Sequence, residues 1–483
     1  MEDRSVPSSI DYGAVLPEAV PATQHRRKYF PNNAMTFSPI GNNQIRIELE
    51  NSKSLLDPKN SYLEFEVFNA DVAAASFGFE TNANSFFQRL TIEQGGTVIA
   101  RIDEYHRLNC GVLSLAQDTI NSRSSNSLTG GERGYNAAGA ANIQVRPIGG
   151  DAAGYLNLNH NSAAQIAPGA SQRFAVPLGT GLFTQDKLLP LPLLRSGQPL
   201  VIVLDLAPSA QALIWNGPVG PNGYQLRNIS YVASLIEVGR DVLDQFRMIQ
   251  ANMGGNLVLS SQDFEYNSDS VPTISTGDLI LRCPSRHKSL KSMFWCAQSD
   301  DYAGTLGPIL QSQAASLSYS GSMNLASYQL KVGSMVYPPT AVRGNNGLPN
   351  ERSEMAMELA KAFGQLGWTN PTGILSTISY GSDINGLGDG DNGQAGQTDV
   401  PQGNGTICGC PFGLDLEAFQ RSAIESGIDS ETLAEAVNLI ITIAPQVAGG
   451  ANNSGVEVKT VHIWTLYDQH YYWGSDGMIT FSN

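Results

Sequence analysis

Leu90-Thr91-Ile92-Glu93, Gly95-Gly96 and Thr97-Val98-Ile99-Ala100, followed by Glu104 to Leu115, spell strand, glycine turn, strand and helix. The same words return in Tyr328-Gln329-Leu330-Lys331-Val332, Gly333-Ser334, Met335-Val336-Tyr337 and Ser353 to Leu366. Two more patterns repeat in the same order. Ser196-Gly197 with Leu200 to Pro208 (LVIVLDLAP) matches Ser426-Gly427 with Asn438 to Pro445 (NLIITIAP). Leu226 to Leu235 (LRNISYVASL) matches Val458 to Tyr467 (VKTVHIWTLY). Any β protein offers one such string. The shared order and an offset of roughly 235 residues exclude short solenoid repeats and predict two β domains of one design.

Composition agrees. The chain has 483 residues, enough for two or three domains that each bury a core. Charged residues make up only 15%, while Gly, Asn, Ser, Ala and Pro abound, as in short strands joined by long polar loops. With 41% hydrophobic residues the chain can pack its cores.

The formal net charge is −15, with 44 acidic against 29 basic residues, which argues against a nucleic-acid coat. One basic cluster stands out, His25-Arg26-Arg27-Lys28. It reads either as a solvated run before the first strand or as a contact to nucleic acid or an acidic neighbouring subunit. Cys110, Cys283, Cys296, Cys408 and Cys410 form no disulfide framework and read as reduced thiols. The start, MEDRSVPSS, has no apolar h-region, so no secretory signal is expected. The most apolar run, Val437 to Val447, is interrupted by Asn438, Thr442 and Pro445 and falls short of the ~20 residues a membrane helix needs. Synthesis in cytosol or nucleus is the expectation.

Along the chain, residues 1–35 lack any sustained period and read as an N-terminal arm. A first domain is expected over 36–240. It opens with the alternating strand Asn43 to Glu50, the turn Asp57-Pro58-Lys59-Asn60 and the alternating strand Ser61 to Phe68. Val242, Leu243, Phe246, Met248 and Ile249 are spaced for a helix that Gly254-Gly255 ends, so 241–255 is expected to connect the halves. A second domain is expected over 256–483. Each half carries one long Gly-rich, low-complexity loop, 118–170 and 381–409, expected to face a partner.

Catalytic patterns are missing: no GxSxG, HExxH, P-loop or Rossmann fingerprint occurs. Cys283-x3-His287 with Cys296 offers three zinc ligands without an evident fourth, and buried cysteines acting as small hydrophobes explain them as well. Asp383-Ile384-Asn385 and Asp389-Gly390-Asp391-Asn392 resemble a calcium loop but lack its Glu, and read better as a solvated loop. Glu48/Glu50 and Glu64/Glu66 could suggest a glycosidase pair, yet i, i+2 spacing places them on the wet side of a sheet. His470-Tyr471-Tyr472-Trp473 could bind sugar or pack a terminal strand. No catalytic, cofactor-binding or metal-ligating residue is assigned, no cofactor is expected, and the protein is expected not to be an enzyme.

NSYLEFEV (Asn60 to Val67), FFQRLTIEQGGTVIARIDEYHRL (Phe86 to Leu108), GLFTQDKLLPLPLL (Gly181 to Leu194) and YQLKVGSMVYPP (Tyr328 to Pro339) resemble strand signatures of the double jelly-roll major capsid proteins of double-stranded DNA viruses. The flavour is that of polinton-like viruses and virophages, and the resemblance covers the chain from about residue 36. It implies an all-β fold of two tandem eight-stranded antiparallel jelly rolls with short inserted helices and long surface loops. It also implies a homotrimeric, pseudo-hexameric capsomer of an icosahedral shell in the virion. Its partners would be neighbouring capsomers and minor capsid and vertex (penton) proteins, with no specific nucleic-acid binding. The resemblance leaves contact with an internal membrane open. Loops 118–170 and 381–409 would be outward towers, and Arg26, Arg27 and Lys28 would lie towards the shell interior or a neighbouring capsomer. Two alternatives stand beside it. One is a two-domain β-sandwich that binds or cleaves carbohydrate. The other is a single jelly roll with an unrelated projecting domain, which requires halves of different fold.

Overall fold

The structure is a computed structural model. It describes residues 22–50, 53–70, 77–78, 83–113, 166–185, 187–215, 223–252, 254–271, 277–298, 325–344, 353–364, 411–418, 427–431, 437–443 and 460–482. Most of loop 118–170 and all of 381–409 fall outside these, as do Asp383 to Asn392, Cys408 and Cys410.

In the first half the main strands are β1 (Ala22–Tyr29), β2 (Gln44–Leu49), β3 (Leu55–Asn69), β4 (Phe87–Gln94), β5 (Thr97–Ile102), β6 (Ser171–Val176), β7 (Leu200–Leu206) and β8 (Tyr224–Val238). The second half supplies β9 (Asn256–Ser270), β10 (Gly277–Cys283), β11 (Leu290–Gln298), β12 (Leu325–Val332), β13 (Met335–Arg343), β14 (Phe412–Asp415), β15 (Val437–Ile443) and β16 (Thr460–Gly474). They form four antiparallel sheets, ordered β1-β8-β3-β6, β2-β7-β4-β5, β9-β16-β11-β14 and β10-β15-β12-β13. Adding eight to each label of the first pair of sheets gives the second pair. The fold is two tandem eight-stranded jelly rolls. The reading that needed halves of different fold is thereby overturned.

The repeated strings sit where the topology demands. LTIE-GG-TVIA is the β4–β5 hairpin and its echo is β12–β13, each lying beside the strand that ends in Ala-Pro. Alternation builds the cores. Ile45, Ile47 and Leu49 of β2 are buried, and so are Val437, Leu439, Ile441 and Ile443 of β15, while the residues between them face outward. Between the first pair of sheets, Phe65 meets Phe87 edge-on at 5.2 Å. In the second roll, Trp295 stacks at 4.1 Å on Phe412, its cross-strand partner in the same sheet, and meets Tyr328 of the facing sheet edge-on at 5.7 Å. Each fully buried ring of this kind contributes about 1.5–3 kcal/mol. Tyr224 is buried and its hydroxyl donates to the carbonyl of Ala207 at 2.7 Å. Tyr224→Phe keeps the packing and strands that carbonyl, so a loss of about 1 kcal/mol is expected in urea unfolding.

Two local readings change. Asp57-Pro58-Lys59-Asn60 does not reverse the chain. It is a bulge inside β3, because both arms of β3 pair with β8 (Asp57 opposite Ser234, Tyr62 opposite Val232). Asn60 closes the bulge by donating its side-chain amide to Asp57 at 2.7 Å, and the Ser234 amide donates to Ser61 Oγ at 3.0 Å. The second change lies within the arm read over 1–35: Ala22–Tyr29 is β1, an edge strand of the first sheet. Its first seven residues are exposed on both faces, so it carries none of the apolar alternation that betrays a strand.

The helices are short. α1 (Tyr105–Arg107) runs on into a π-helical turn, Leu108–Val112. α2 (Gly181–Thr184) is a single turn, and α3 (Arg240–Asn252) lies between the two sets of strands. Gly254 and Gly255 follow it with positive φ, and the Gly255 amide donates back to Gln250 O at 2.8 Å. α4 (Ser353–Ala362) buries Met355, Ala356, Leu359 and Ala362, and Leu359 and Ala362 lie directly over Gly413 of β14.

Candidate functional site

The side chains singled out for chemistry do not converge. His287 stacks face to face on Tyr467 at 3.6 Å and bonds Glu265 at 2.8 Å. Cys283 lies in β10 beside Asn267, and Cys296 in β11 of the other sheet. Burial pushes both thiols up to about 12. Among the described residues no group of three His, Cys, Asp or Glu side chains could hold a metal ion. Each glutamate of the two pairs has its own surface partner. Glu48 accepts from Asn32, Glu50 meets Arg27 at 3.1 Å, Glu64 meets Lys28, and Glu66 accepts from Asn228 at 2.8 Å. In the terminal cluster Tyr471 and Trp473 are buried, whereas His470 and Tyr472 face the other way, bonded to Ser260 and Ser482. The basic cluster forms half of β1. Arg26 bonds the Tyr62 hydroxyl at 2.9 Å, so these cations belong to a sheet surface and not to a free run.

Where polar groups do gather is the seam between the two rolls. At one end the Gln94 side chain, at the tip of β4, donates to Gly477 O at 2.8 Å and accepts from the Ile479 amide at 2.7 Å. The Arg195 amide donates to the same Gly477 carbonyl at 3.1 Å. Gly477 holds φ +77°, and a Cβ there would lie 2.4 Å from Arg195 N. At the middle, Ser261 Oγ of β9 donates to Gly181 O of α2, and a Cβ on Gly181 would lie 2.5 Å from Gln262 O. Glycine is required at both points because backbone meets backbone.

At the other end, Leu108–Val112 packs on β11 of the second roll. Beside it Arg107 pairs with Glu104 at 2.6 Å, close to Tyr266, Cys296 and His462. His462 bonds the Tyr266 hydroxyl at 2.7 Å, and His106 bonds Gln211 at 3.1 Å. Burial, aided by Arg107, holds His106 down at about 4 and His462 at about 3, so both are neutral imidazoles. Asp263, buried beside α2, is pushed up to about 6 by burial despite donation from Tyr471 at 3.1 Å. This arrangement fixes one roll against the next. The sequence did not mark it, because its partners are up to 385 residues apart.

No protein-family model and no curated protein matches the chain. Solved structures match it over nearly its full length. The capsid of the virus PBCV-1 aligns at TM-score 0.57 and 12% identity, covering 98% of this chain and 99% of that one. The Sputnik virophage structure aligns at 0.54 and 11% identity, covering 97% and 89%. The Faustovirus major capsid protein aligns at 0.53 and 8% identity, covering 97% and 91%. The fold of this chain is therefore the double jelly roll that these viral proteins share.

Proposed function

We propose that this chain is a major capsid protein, a structural subunit of an icosahedral virus shell that works through contacts between copies and not through catalysis. The observation that carries the reading is the end-to-end likeness to viral capsid structures, in which both jelly rolls align and little of either chain is left over. Tandem rolls suit this role. Three copies of a two-roll chain present six similar units, which lets a threefold ring occupy a site with six neighbours. The working division is the one expected from the sequence, with β1 joined to the first roll: a first roll running to about residue 240, the linker 241–255 and a second roll over 256–483. The partners are then two further copies in the capsomer, neighbouring capsomers and minor capsid and vertex proteins, and the protein's place is the virion.

Light scattering on the purified chain tests this, together with negative-stain microscopy. A particle near three times 51.7 kDa with a hexagonal outline is expected. A stable monomer at every concentration and salt condition overturns the reading.

A further inference from the structure

The two rolls present the same sheet face in two different conditions. In the second roll, the outer face of β9-β16-β11 carries Phe264, Tyr266, Phe294, Cys296, His462 and Trp464. It is met by Leu108–Val112 and β5 of the first roll, with Arg107 nearby, and at Phe294 by Phe363, which follows α4. Matching β8 to β16 by their repeated strings places Val232 where Trp464 stands. The strand registers then place Lys28 at the position of Tyr266, Arg26 at that of Phe264, and Tyr62 at that of Phe294. Among the described residues the β1 side of this face in the first roll is exposed, with Arg26 and Lys28 open where Phe264 and Tyr266 are packed, while Ser230, Val232 and Ser234 of β8 are buried. The face opens into two clefts of ≈ 390 and ≈ 520 Å³. Phe30 and Met35 stand at the rim of the first cleft, 64% and 90% exposed.

A face that one repeat covers and the other leaves exposed along β1 identifies its cover by the same repeat. The counterparts of α1 and β5 are α4 and β13. On α4 the positions i, i+3, i+4 and i+7 from Glu354 form one outward stripe, Glu354, Met357, Glu358 and Lys361. Met357 is 47% exposed on this stripe, and Met335 of β13 is 43% exposed. Exposed Met357 and Met335 complement Phe30 and Met35 at the edge, and Glu354 offers a carboxylate to Arg26, whereas Lys28 and Arg173 already pair with Glu64 and Glu66, and Lys361 with Glu358.

We infer that the exposed β1 side of the first roll's face is a docking surface for the α4–β13 side of a second copy of this chain. This contact would be the intermolecular image of the seam between the rolls. It joins two different patches, so it is heterologous, and with two near-equivalent rolls per chain the ring closes at three. The inference rests on the capsid reading and adds to it the surfaces that meet.

Cysteine cross-linking tests it, in full-length chains with Cys408 and Cys410 replaced by serine. Lys28→Cys and Met357→Cys both lie at exposed positions, and matching thermal unfolding to the parent checks that they fold. Under mild oxidation each single variant alone is expected to stay uncross-linked, and their mixture to give a covalent dimer. The double variant should give a ladder that stops at three chains. A Lys28→Cys homodimer overturns the inference, as does a ladder running past three. If light scattering shows the trimer but the mixture does not cross-link, this surface assignment falls and the capsid reading stands. If the chain is monomeric throughout, both fall.

Discussion

Gly477→Ala is expected to lower the unfolding free energy by about 3–5 kcal/mol, several times the cost of Gly96→Ala. The two glycines have similar backbones, φ +77° and +84°. They differ in what a methyl group would meet. Around Gly96 there is nothing within 4 Å, so alanine there bears only the left-handed strain of about 1–2 kcal/mol. At Gly477 the methyl would lie 2.4 Å from Arg195 N and 2.8 Å from Leu193 O, both backbone atoms of the first roll. The turn must then lift away, and three hydrogen bonds through Gln94 and Arg195 go with it, each worth about 1 kcal/mol. Because these bonds tie the rolls together, Gly477→Ala should also split the unfolding transition in two, each roll melting by itself. Urea titrations followed by tryptophan fluorescence check this. Equal shifts for the two variants would show that the seam does not depend on that close approach.

The fold was legible because its signal is local and printed twice. A hairpin needs its glycine turn and its alternating arms within about a dozen residues, and Leu90 to Ala100 and Tyr328 to Tyr337 both keep them. β1 was not legible, because a strand exposed on both faces gains nothing from apolar alternation. The bulge at Asp57 to Asn60 was read as a turn for a related reason. Asp-Pro and Asn mark a departure from the strand, but only the partner β8 decides whether the chain reverses or resumes. The seam was hidden further still. Gln94, Gly181 and Gly477 are ordinary residues of a strand end, a helix start and a turn until the two rolls are docked, and no spacing rule links positions separated by some 80 to 385 residues. What the sequence offered was indirect: a repeat this long must have a surface where one copy meets the other.

Acid is expected to weaken the protein from about pH 6.5 downward, with the seam histidines as the main cause. His106 and His462 are buried and neutral, held at about 4 and about 3 against 6.5 in the unfolded chain. Between those values the unfolded state binds the proton and the folded state does not, so stability falls as pH falls. Each imidazole should remove about 1.4 kcal/mol per pH unit below 6.5, or about 2–3 kcal/mol by pH 4.5. Asp263 works in the opposite sense. Its folded value, about 6, lies above the unfolded 3.8, so the folded state takes up a proton first and gains about 2 kcal/mol over the same descent. The net expectation is a loss of about 3 kcal/mol between pH 7 and 4.5. Burial sets the direction and Arg107 reinforces it, since a protonated His462 or His106 would place a second cation beside it with only Glu104 to balance the pair. His462→Gln keeps a polar partner for Tyr266 and removes one titrating group, so its acid loss should shrink to about 1 kcal/mol. Asp263→Asn should steepen the wild-type loss, because it deletes the opposing term. Urea unfolding of the three proteins from pH 8 to 4.5 separates these effects. Parallel pH profiles would mean that these buried groups do not govern the acid response, and that the carboxylates of the sheet surfaces do.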